Sequence, residues 1–427
     1  MVDDVYWWQA APLSSLAPKP VDPTCDVAII GAGYTGLSAA ITLARAGRTV
    51  QVFDRQRPGE GASTRNGGIT SGNLRPGYAE LARKFGAPAA DAIHAESKLA
   101  REDLYRFLAD ENIACDFKMV GRFSGAFAPG DYDRLAREAD RLRKSLGIEA
   151  YGVPRGEQRG YLGTDTYHGG SVRMDIGGLH PAKLHAGMLR VALEAGVTVH
   201  ALTAVAAIAR NGNGYTISTS RGDTVARDVI TGTNGYTDQA DRWLRRRLVP
   251  VRSRIIATAP LPAATMDELM PRRMMCGETR QLHYYYRPSP DGSRILFGGR
   301  DGTIAGNPTW PTETLRRGLV SIFPSLASTA IAQSWFGNVA MNLDMIPRVF
   351  ARDGRHYAAG YCGSGVVWAR WAGQKAALQV LGDDAGRSAF DFRPPRAIPF
   401  FEGKAWFMPG VFVWMRAQDW LATRRRG

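Results

Sequence analysis

The sequence predicts an α/β fold of mixed helices and strands, and three observations carry the prediction. A strand pattern, a glycine turn and an amphipathic helix follow one another at Val27-Ala-Ile-Ile-Gly31-Ala-Gly33-Tyr-Thr-Gly36-Leu-Ser-Ala-Ala, with a second strand at Thr49-Val-Gln-Val-Phe53. Strand-like and helical stretches alternate through most of the 427 residues. A later glycine cluster, Gly360-Tyr-Cys362-Gly363-Ser-Gly365, opens a helix of small residues. With 44% hydrophobic and 22% charged residues, the chain is ordinary globular material, long enough for two domains with real cores.

Three β-branched residues stand in the run Val27 to Ile30, which is strand character. Leu37, Ala40, Ile41 and Ala44 then recur at helical spacing, and Gly47 stops the helix. Gly31 allows the tight turn, Gly33 lets the backbone approach a pyrophosphate, and Gly36 lets helix and strand touch. The N–H groups at the helix start, at Tyr34 and Thr35, face an anion with the helix dipole behind them. Asp54 closes the second strand, placed to accept from a ribose hydroxyl. Strand, turn, helix and carboxylate together read as a Rossmann-like dinucleotide site rather than a structural glycine turn. Arg55 and Arg57 suit a 2′-phosphate, but Asp54 repels one, which favours FAD or NAD over NADP.

Four cysteines, Cys25, Cys115, Cys276 and Cys362, are scattered without a CxxC pair, so no disulfide framework or structural zinc site is expected. The first residues, Met1-Val-Asp-Asp-Val-Tyr-Trp-Trp, carry no signal-peptide pattern, and no apolar run is long enough to span a bilayer. The expectation is a cytoplasmic protein. His180 and His185 lack the support of a metal site and there is no HExxH, so no metal is expected. The net charge of +14 admits a generally basic soluble enzyme, a contact with anionic membrane, or nucleic-acid binding. Arg245-Arg246-Arg247 and Arg424-Arg425-Arg426 are short clusters and no nucleic-acid module accompanies them, which favours the first reading.

Residues 1–24 are a lead-in whose Tyr6, Trp7 and Trp8 are expected to dock on the body, since aromatics in a row would aggregate if exposed. Gly59-Glu-Gly-Ala-Ser63-Thr-Arg65-Asn66-Gly67-Gly68-Ile69 offers many backbone N–H groups, as either a cofactor loop or a plain surface loop. Helices are expected at Pro88 to Asp110, Tyr132 to Leu146, Pro181 to Glu194 and Thr312 to Phe323, the third opened by its proline. Phe117 to Phe127, Val197 to His200, Ala204 to Ile208, Tyr215 to Thr219 and Val229 to Thr231 read as strands, the last ending in the turn Asn234-Gly235. Val251 to Ala257 is a further strand, and Gln281 to Arg287 with Arg294 to Arg300 forms a hairpin. Trp335 to Met341 and Tyr357 to Tyr361 return to strand character before the last glycine cluster. The tail, Pro399 to Gly427, reads as docked on the body, with a membrane-surface contact as the alternative.

Taken together, these pieces resemble the D-amino-acid-oxidase-like family of FAD-dependent oxidoreductases, and within it the γ-glutamylputrescine oxidase branch. The similarity rests on the Tyr-Trp-Trp lead-in, Gly31-Ala-Gly33-Tyr-Thr-Gly36, Ala62-Ser-Thr-Arg-Asn66-Gly-Gly, Thr233-Asn-Gly-Tyr-Thr237, Arg294-Ile-Leu-Phe-Gly-Gly-Arg300 and Gly360-Tyr-Cys-Gly-Ser-Gly365, in the family's order. It implies a Rossmann-like FAD-binding domain interleaved with a mixed-sheet substrate domain. The expected division is 1–75, 165–240 and 337–390 for the FAD domain, 76–164 and 241–336 for the substrate domain and connecting helices, and 391–427 for the tail. Gly31, Gly33 and Gly36 would hold the pyrophosphate and Asp54 the adenosine ribose. Ser63, Asn66, Gly67 and Gly68 would approach pyrophosphate and flavin, Val205 the adenine, and Gly363, Ser364, Gly365 and Val366 the isoalloxazine. Non-covalent FAD is expected. Where the sarcosine-oxidase branch carries a carboxylate-binding lysine, this chain has Val367.

The resemblance implies hydride transfer from an amine or amino acid to flavin N5, then imine hydrolysis, with oxygen or a carrier taking the electrons. Tyr284, Tyr286, Trp335 and Trp368 are candidates for an aromatic substrate cage or for core packing. Arg300 is a candidate for an acidic group on the substrate or for a pair with Asp301, and His283 reads as hydrogen-bonded structure. A membrane dehydrogenase feeding a quinone, an RNA-associated flavoprotein and an NAD-linked enzyme are the competing readings.

Overall fold

The computed structural model describes residues 4–300 and 309–424, so Asp301 lies outside the described residues. Two eight-stranded sheets carry the molecule. The first runs Arg348–Arg352, Arg355–Ala359, Gly222–Thr231, Thr24–Ile30, Val50–Phe53, Thr198–His200, with Val205–Asn211 and Gly214–Thr219 added beside Gly222–Thr231. Its central pairs are parallel, joining Thr24–Ile30 to both Val50–Phe53 and Gly222–Thr231. A parallel centre needs both faces covered, and Val27 to Ile30 are buried on both. Helices Tyr34–Arg45, Ala87–Asp110, Pro181–Glu194 and Gly365–Leu381 supply the large core on one side, around Val27, Ile29, Leu37, Leu104 and Met188. Tyr215 and Ile217 cover Ala28, Ile30 and Phe53 on the other.

The second sheet runs Ile331–Met341, Val249–Thr258, Ile295–Arg300, Tyr285–Pro288, Met275–Glu278, Arg122–Gly125, Gly170–Arg173, Ala150–Val153. Only Met275–Glu278 against Arg122–Gly125 is parallel among these pairs. Side chains alternate between faces along each strand. One face packs Ile256, Tyr286, Ile295 and Phe297 against Leu315 and Leu319 of the helix Thr309–Ile322. The other face, with Ser253, Tyr285 and Arg300, lines the main cavity.

The chain crosses between the sheets more often than the expected division allows. Gly170–Arg173 lies past residue 165 yet pairs in the second sheet, and Ile331–Met341 runs across residue 337. Ala87–Asp110 buries Ala90, Ile93, Leu104 and Leu108 in the core of the first sheet. Strand pairing is a long-range choice that local pattern does not encode. The strand expected over Gln281 to Arg287 is shorter, Tyr285–Pro288.

The lead-in docks as expected. Trp7 is fully buried against Ile255, Leu296 and Trp335, worth about 4–6 kcal/mol of transfer free energy as an upper bound. In the tail, the helix Met408–Arg424 buries Met408 and Phe412 against Val249, Val251 and Phe401. Trp406, Trp414 and Trp420 stay exposed. No helix among the described residues is long and apolar enough to cross a membrane.

Candidate active site

A cavity of about 1370 Å³ runs from the glycine turn to the open face of the second sheet. Ligand pockets usually fall near 300–1,000 Å³, so this one has room for a dinucleotide and a small substrate together. Gly31, with φ +103°, makes a turn that only glycine enters freely. A Cβ on Gly36 would lie 1.8 Å from the Gly31 carbonyl oxygen, so helix and strand meet there without intervening side chains. Gly36 serves that packing and does not line the cavity. At Gly33 a Cβ would stand 2.8 Å from Ser63 Oγ. Ser63 Oγ accepts the Tyr34 N–H at 3.0 Å. The Thr35 N–H sits in the first helical turn without an intrahelical acceptor, at the cavity wall and suited to a phosphate. Tyr34 lends the cavity its backbone, because its buried hydroxyl donates to the Pro181 carbonyl at 2.8 Å.

Asp54 Oδ2 accepts from the Ala32 N–H at 2.8 Å and Oδ1 from the Gln56 N–H at 2.9 Å. Burial pushes its carboxyl above the usual carboxylate range, and the two N–H donors pull against that. An ionised carboxylate has about four acceptor sites, so two remain for ribose hydroxyls. Arg55 pairs with Asp238 at 2.8 Å and donates to the Tyr236 carbonyl at 3.2 Å. Its charge is already matched, which leaves a 2′-phosphate without that partner. Val205 lines the same end of the cavity. The residues present therefore fit an FAD.

The loop over the middle of the cavity is held from behind. Asn66 donates to the Ala62 and Ser63 carbonyls at 3.1 and 2.8 Å and accepts the Gly68 N–H at 2.8 Å. Its amide is thus spent on shaping the loop. A Cβ on Gly68, with φ +65°, would lie 2.1 Å from the Leu179 carbonyl oxygen, so the residue faces that backbone and not the cavity. Three indoles grip the loop: Trp7 donates to the Asn66 carbonyl, Trp8 to Thr64 Oγ1 and Trp335 to the Arg65 carbonyl, at 2.8, 2.9 and 2.8 Å. Arg287, buried, donates from Nη1 to the carbonyls of Gly67, Gly68 and Leu179. Trp335 is therefore a loop clamp and not part of a substrate cage.

A second helix start faces the same cavity. Gly360, Cys362 and Gly363 all have positive φ, and the helix Gly365–Leu381 begins with no side-chain cap. Gly363, Ser364, Gly365 and Val366 line the cavity. Tyr34–Arg45 is tied to this helix by Ser38 Oγ donating to the Arg370 carbonyl at 2.6 Å, and to the turn before it by Thr35 Oγ1 to Tyr361 OH at 2.8 Å. Gly373 allows the close crossing, since a Cβ there would be 2.2 Å from the Thr35 carbonyl oxygen. Two positive helix ends thus point into one space.

At the substrate end, the structure corrects the choice of face. Tyr286 is fully buried and its hydroxyl meets that of Tyr167 at 3.0 Å; Tyr284 packs on Phe297. Both look away from the cavity into the second core. Trp368 is fully buried against Phe390 in the first core. Val367 is buried there too. Tyr285, one residue over, takes the cavity face. Its ring lies across Gly298 and beside Gly67, and its hydroxyl meets Ser253 Oγ at 3.0 Å. Arg300, opposite Ser253 on the neighbouring strand, lines the cavity, with Nη2 3.3 Å from where a Gly363 Cβ would be. His283, Arg75 and Arg122 join them, none singled out for the site by the sequence. Arg75 Nη1 donates to His283 Nδ1 at 2.9 Å, which makes Nδ1 the acceptor because a guanidinium only donates. Burial, then the charges of Arg75, Arg300 and Arg122, push His283 well below its ordinary pKa and keep it neutral.

Acid should empty the site. His185 packs under Gly59 and its Nε2 meets the Ala32 carbonyl at 2.8 Å. Burial holds His94, His180 and His185 down to about 4, below the ordinary 6.5. Between those values the unfolded chain takes up protons that the folded chain refuses, so stability falls as pH drops through the window. Flavin fluorescence, quenched in the holoprotein, is expected to rise irreversibly or with unfolding between pH 6.5 and 4. A flat profile to pH 4 would refute this.

Comparison with known proteins agrees with this geometry. Residues 26–378 match the family model described as DAO, FAD dependent oxidoreductase. A probable oxidoreductase OrdL of Rhizobium meliloti (strain 1021) is 31% identical, over 99% of this chain and 97% of that one. The gamma-glutamylputrescine oxidoreductase of Escherichia coli (strain K12) is 28% identical over 88% of each chain. In fold, glycine oxidase from Geobacillus kaustophilus superposes with a TM-score of 0.73 at 19% identity, covering 89% of this chain and all of the other. With a family match over residues 26–378 and relatives aligned over most of its length, the chain belongs to the DAO family of FAD-dependent oxidoreductases.

Proposed function

We propose that the enzyme oxidises the C–N bond of a γ-glutamylputrescine-like amine or an amino acid. The observation that carries this reading is the continuity of the cavity from the dinucleotide cradle to a polar end formed by Ser253, His283, Tyr285 and Arg300 beside Gly363. The similarity to the gamma-glutamylputrescine oxidoreductase supports the amine. FAD, when bound, accepts a hydride from the carbon next to the substrate nitrogen.

The chain's own residues prepare that transfer. Gly31, Gly33, the Thr35 N–H, Ser63 and Asp54 would hold the dinucleotide. The Gly365 and Val366 N–H groups, with their helix dipole, would sit beside the cofactor and favour negative charge there. The guanidinium groups of Arg75, Arg122 and Arg300 oppose an ammonium ion and so favour the neutral, reactive amine. Tyr285 fills the space against Gly67 and helps to fix the substrate's orientation. As the carbon gives up a hydride, the nitrogen loses a proton to solvent. Water then adds to the imine and releases a carbonyl compound and the nitrogen fragment.

Anaerobic mixing of the holoenzyme with γ-glutamylputrescine, putrescine, glycine and sarcosine tests the reading. Loss of the visible flavin absorbance with at least one amine is the expected result. A flavin that no amine or amino acid reduces would overturn it. Recolouring in air would identify oxygen as the acceptor. Recolouring only with a soluble quinone would favour a dehydrogenase, the second reading, supported by the exposed Trp414 and Trp420 beside Arg416 and Arg424.

A further inference from the structure

The helix Met408–Arg424 is apolar on two sides, and the fold buries only one of them. At about 3.6 residues per turn, Met408, Phe412, Met415 and Asp419 fall on one side. Met408 and Phe412 are buried against Val249, Val251 and Phe401, and Met415 packs on the same cluster. Asp419 accepts the Gln281 N–H at 2.7 Å and the Leu282 N–H at 3.3 Å, which ties the helix to the second sheet. Val413, Trp414, Ala417, Trp420 and Leu421 fall on the other side, and all are exposed. A surface helix ordinarily turns polar and charged residues outward. This one turns two indoles and three aliphatic side chains.

Six of the fourteen exposed large apolar side chains among the described residues lie between 400 and 421. Single exposed apolar residues are ordinary, but a group of them marks a contact surface. Phe400 and Trp406 stand together just before the helix, with Trp406 Nε1 donating to the Phe400 carbonyl at 3.2 Å. Phe400 is 88% exposed, with φ +56°, a region that bulky side chains rarely enter. Its neighbour Phe401 is fully buried. The backbone thus buries one phenylalanine and presents the next to the outside.

The charge around this face is mostly of one sign. Arg416 and Arg424 border it and Lys404 precedes it, all three exposed. The Arg424 guanidinium lies 4.0 Å from the centre of the Trp420 ring. Arg245 lies along Gly403, where a Cβ would be 2.1 Å from its Nε, and the exposed Arg246 accepts the Ile398 N–H through its carbonyl at 3.0 Å. Of the two carboxylates between 399 and 424, Asp419 is turned inward, which leaves Glu402. Indoles beside cations suit an anionic phospholipid surface. The ring sits at headgroup depth, and each cation held there is worth about fivefold in binding. A second copy of this chain fits worse, because a two-fold contact sets the same patch against itself and brings Arg416 and Arg424 of both copies together.

We propose that the outward face of Met408–Arg424, with Phe400 and Trp406, docks the protein on an anionic phospholipid membrane. The helix lies in the plane of the interface and keeps its inner side on the protein. Met415, Gln418, Asp419 and Ala422 line the main cavity, so one helix width, about 10 Å, separates that cavity from the lipid. The docking depends on neither the substrate nor the reaction.

Cosedimentation of the holoprotein at low salt tests it, with vesicles of phosphatidylcholine alone and of equal parts phosphatidylcholine and phosphatidylglycerol. Binding to the mixed vesicles is expected to be at least about tenfold tighter. Replacing both exposed indoles, Trp414→Ser with Trp420→Ser, should weaken that binding at least about tenfold and leave flavin content and the thermal melt unchanged. Quenching of part of the wild-type tryptophan fluorescence by lipid brominated in its acyl chains is the expected result that needs no variant. A double variant that binds the mixed vesicles as the wild type does would overturn the proposal, since the net charge of +14 alone would then account for the binding. So would a wild-type protein that stays in the supernatant with both kinds of vesicle. If that protein were a dimer in solution and the double variant a monomer, the face would join two copies instead.

Discussion

Gly36→Ala is expected to yield protein without bound flavin and with greatly reduced stability. The new Cβ would stand 1.8 Å from the Gly31 carbonyl oxygen, 3.0 Å from its carbonyl carbon and 3.2 Å from Ile29 Cγ2. The obstacle is backbone, and it belongs to the glycine turn that lines the cavity. It cannot swing aside as a long side chain would. Relief requires the helix Tyr34–Arg45 to move off the strand Thr24–Ile30, and with it the helix Gly365–Leu381, tied on through Ser38 and, at the turn before it, through Thr35. Overpacking ordinarily costs about 1–3 kcal/mol and more where backbone must shift; about 3 kcal/mol or more is expected here. The check is the ratio of flavin to protein absorbance after purification, with a thermal melt. Gly156→Ala, where a Cβ meets nothing within 4 Å, is the control. A Gly36→Ala protein that purified yellow with an unchanged melt would show that helix and strand are not in contact as described.

Arg287→Met is expected to weaken FAD binding by at least about tenfold, or about 1.4 kcal/mol, while the protein stays folded. Two effects compete. Removing a buried guanidinium relieves its desolvation, since burial already holds Arg287 down to about 10. Against that, the carbonyls of Gly67, Gly68 and Leu179 lose their shared donor; the Gly68 carbonyl keeps the Leu179 N–H at 2.8 Å, so the loss falls on Gly67 and Leu179. Each buried acceptor left unpaired costs about 1–3 kcal/mol, and Met fills the volume but donates nothing. The loop from Ala62 to Gly68 is what loosens, so the loss appears in flavin affinity before global stability. Arg287→Lys keeps the charge but not the fork, and is expected to behave more like Met than like Arg. Apo-protein titrated with FAD, with fluorescence quenching as the readout, measures both variants. Unchanged affinity in Arg287→Met would remove the clamp from the account of the site.

The cofactor half was legible because its requirements are local. A strand, a turn with glycines where a side chain would collide, and a carboxylate at the next strand end are contiguous in the chain, and each residue's need is set within a few ångströms of its own backbone. Even there, role and place diverged. Asn66 and Gly68 belong to the loop's internal scaffold, and Gly36 to helix–strand packing. The Tyr-Trp-Trp lead-in read as docked; that Trp7 and Trp8 grip the flavin loop depends on a contact made nearly 60 residues away in the chain.

The substrate half was not legible, for two physical reasons. His283, Tyr284, Tyr285 and Tyr286 are consecutive, so a period of two divides them between faces without saying which face is buried. Only the helix Thr309–Ile322, packed against one side, makes Tyr286 core and leaves Tyr285 to the cavity. Arg75, Arg122 and Arg300 are separated by long stretches of chain; strand pairings with no local signature bring Arg122 and Arg300 into one sheet, and Arg75 reaches the same cavity from the segment before the helix Tyr78–Phe85. The sequence by itself determined the α/β class, the dinucleotide cradle and the preference for FAD, because those follow from backbone sterics and the spacing of neighbours. Tertiary structure alone decided which strand face lines the cavity and which charges gather there, because burial and electrostatics depend on what packs against a residue and not on what precedes it.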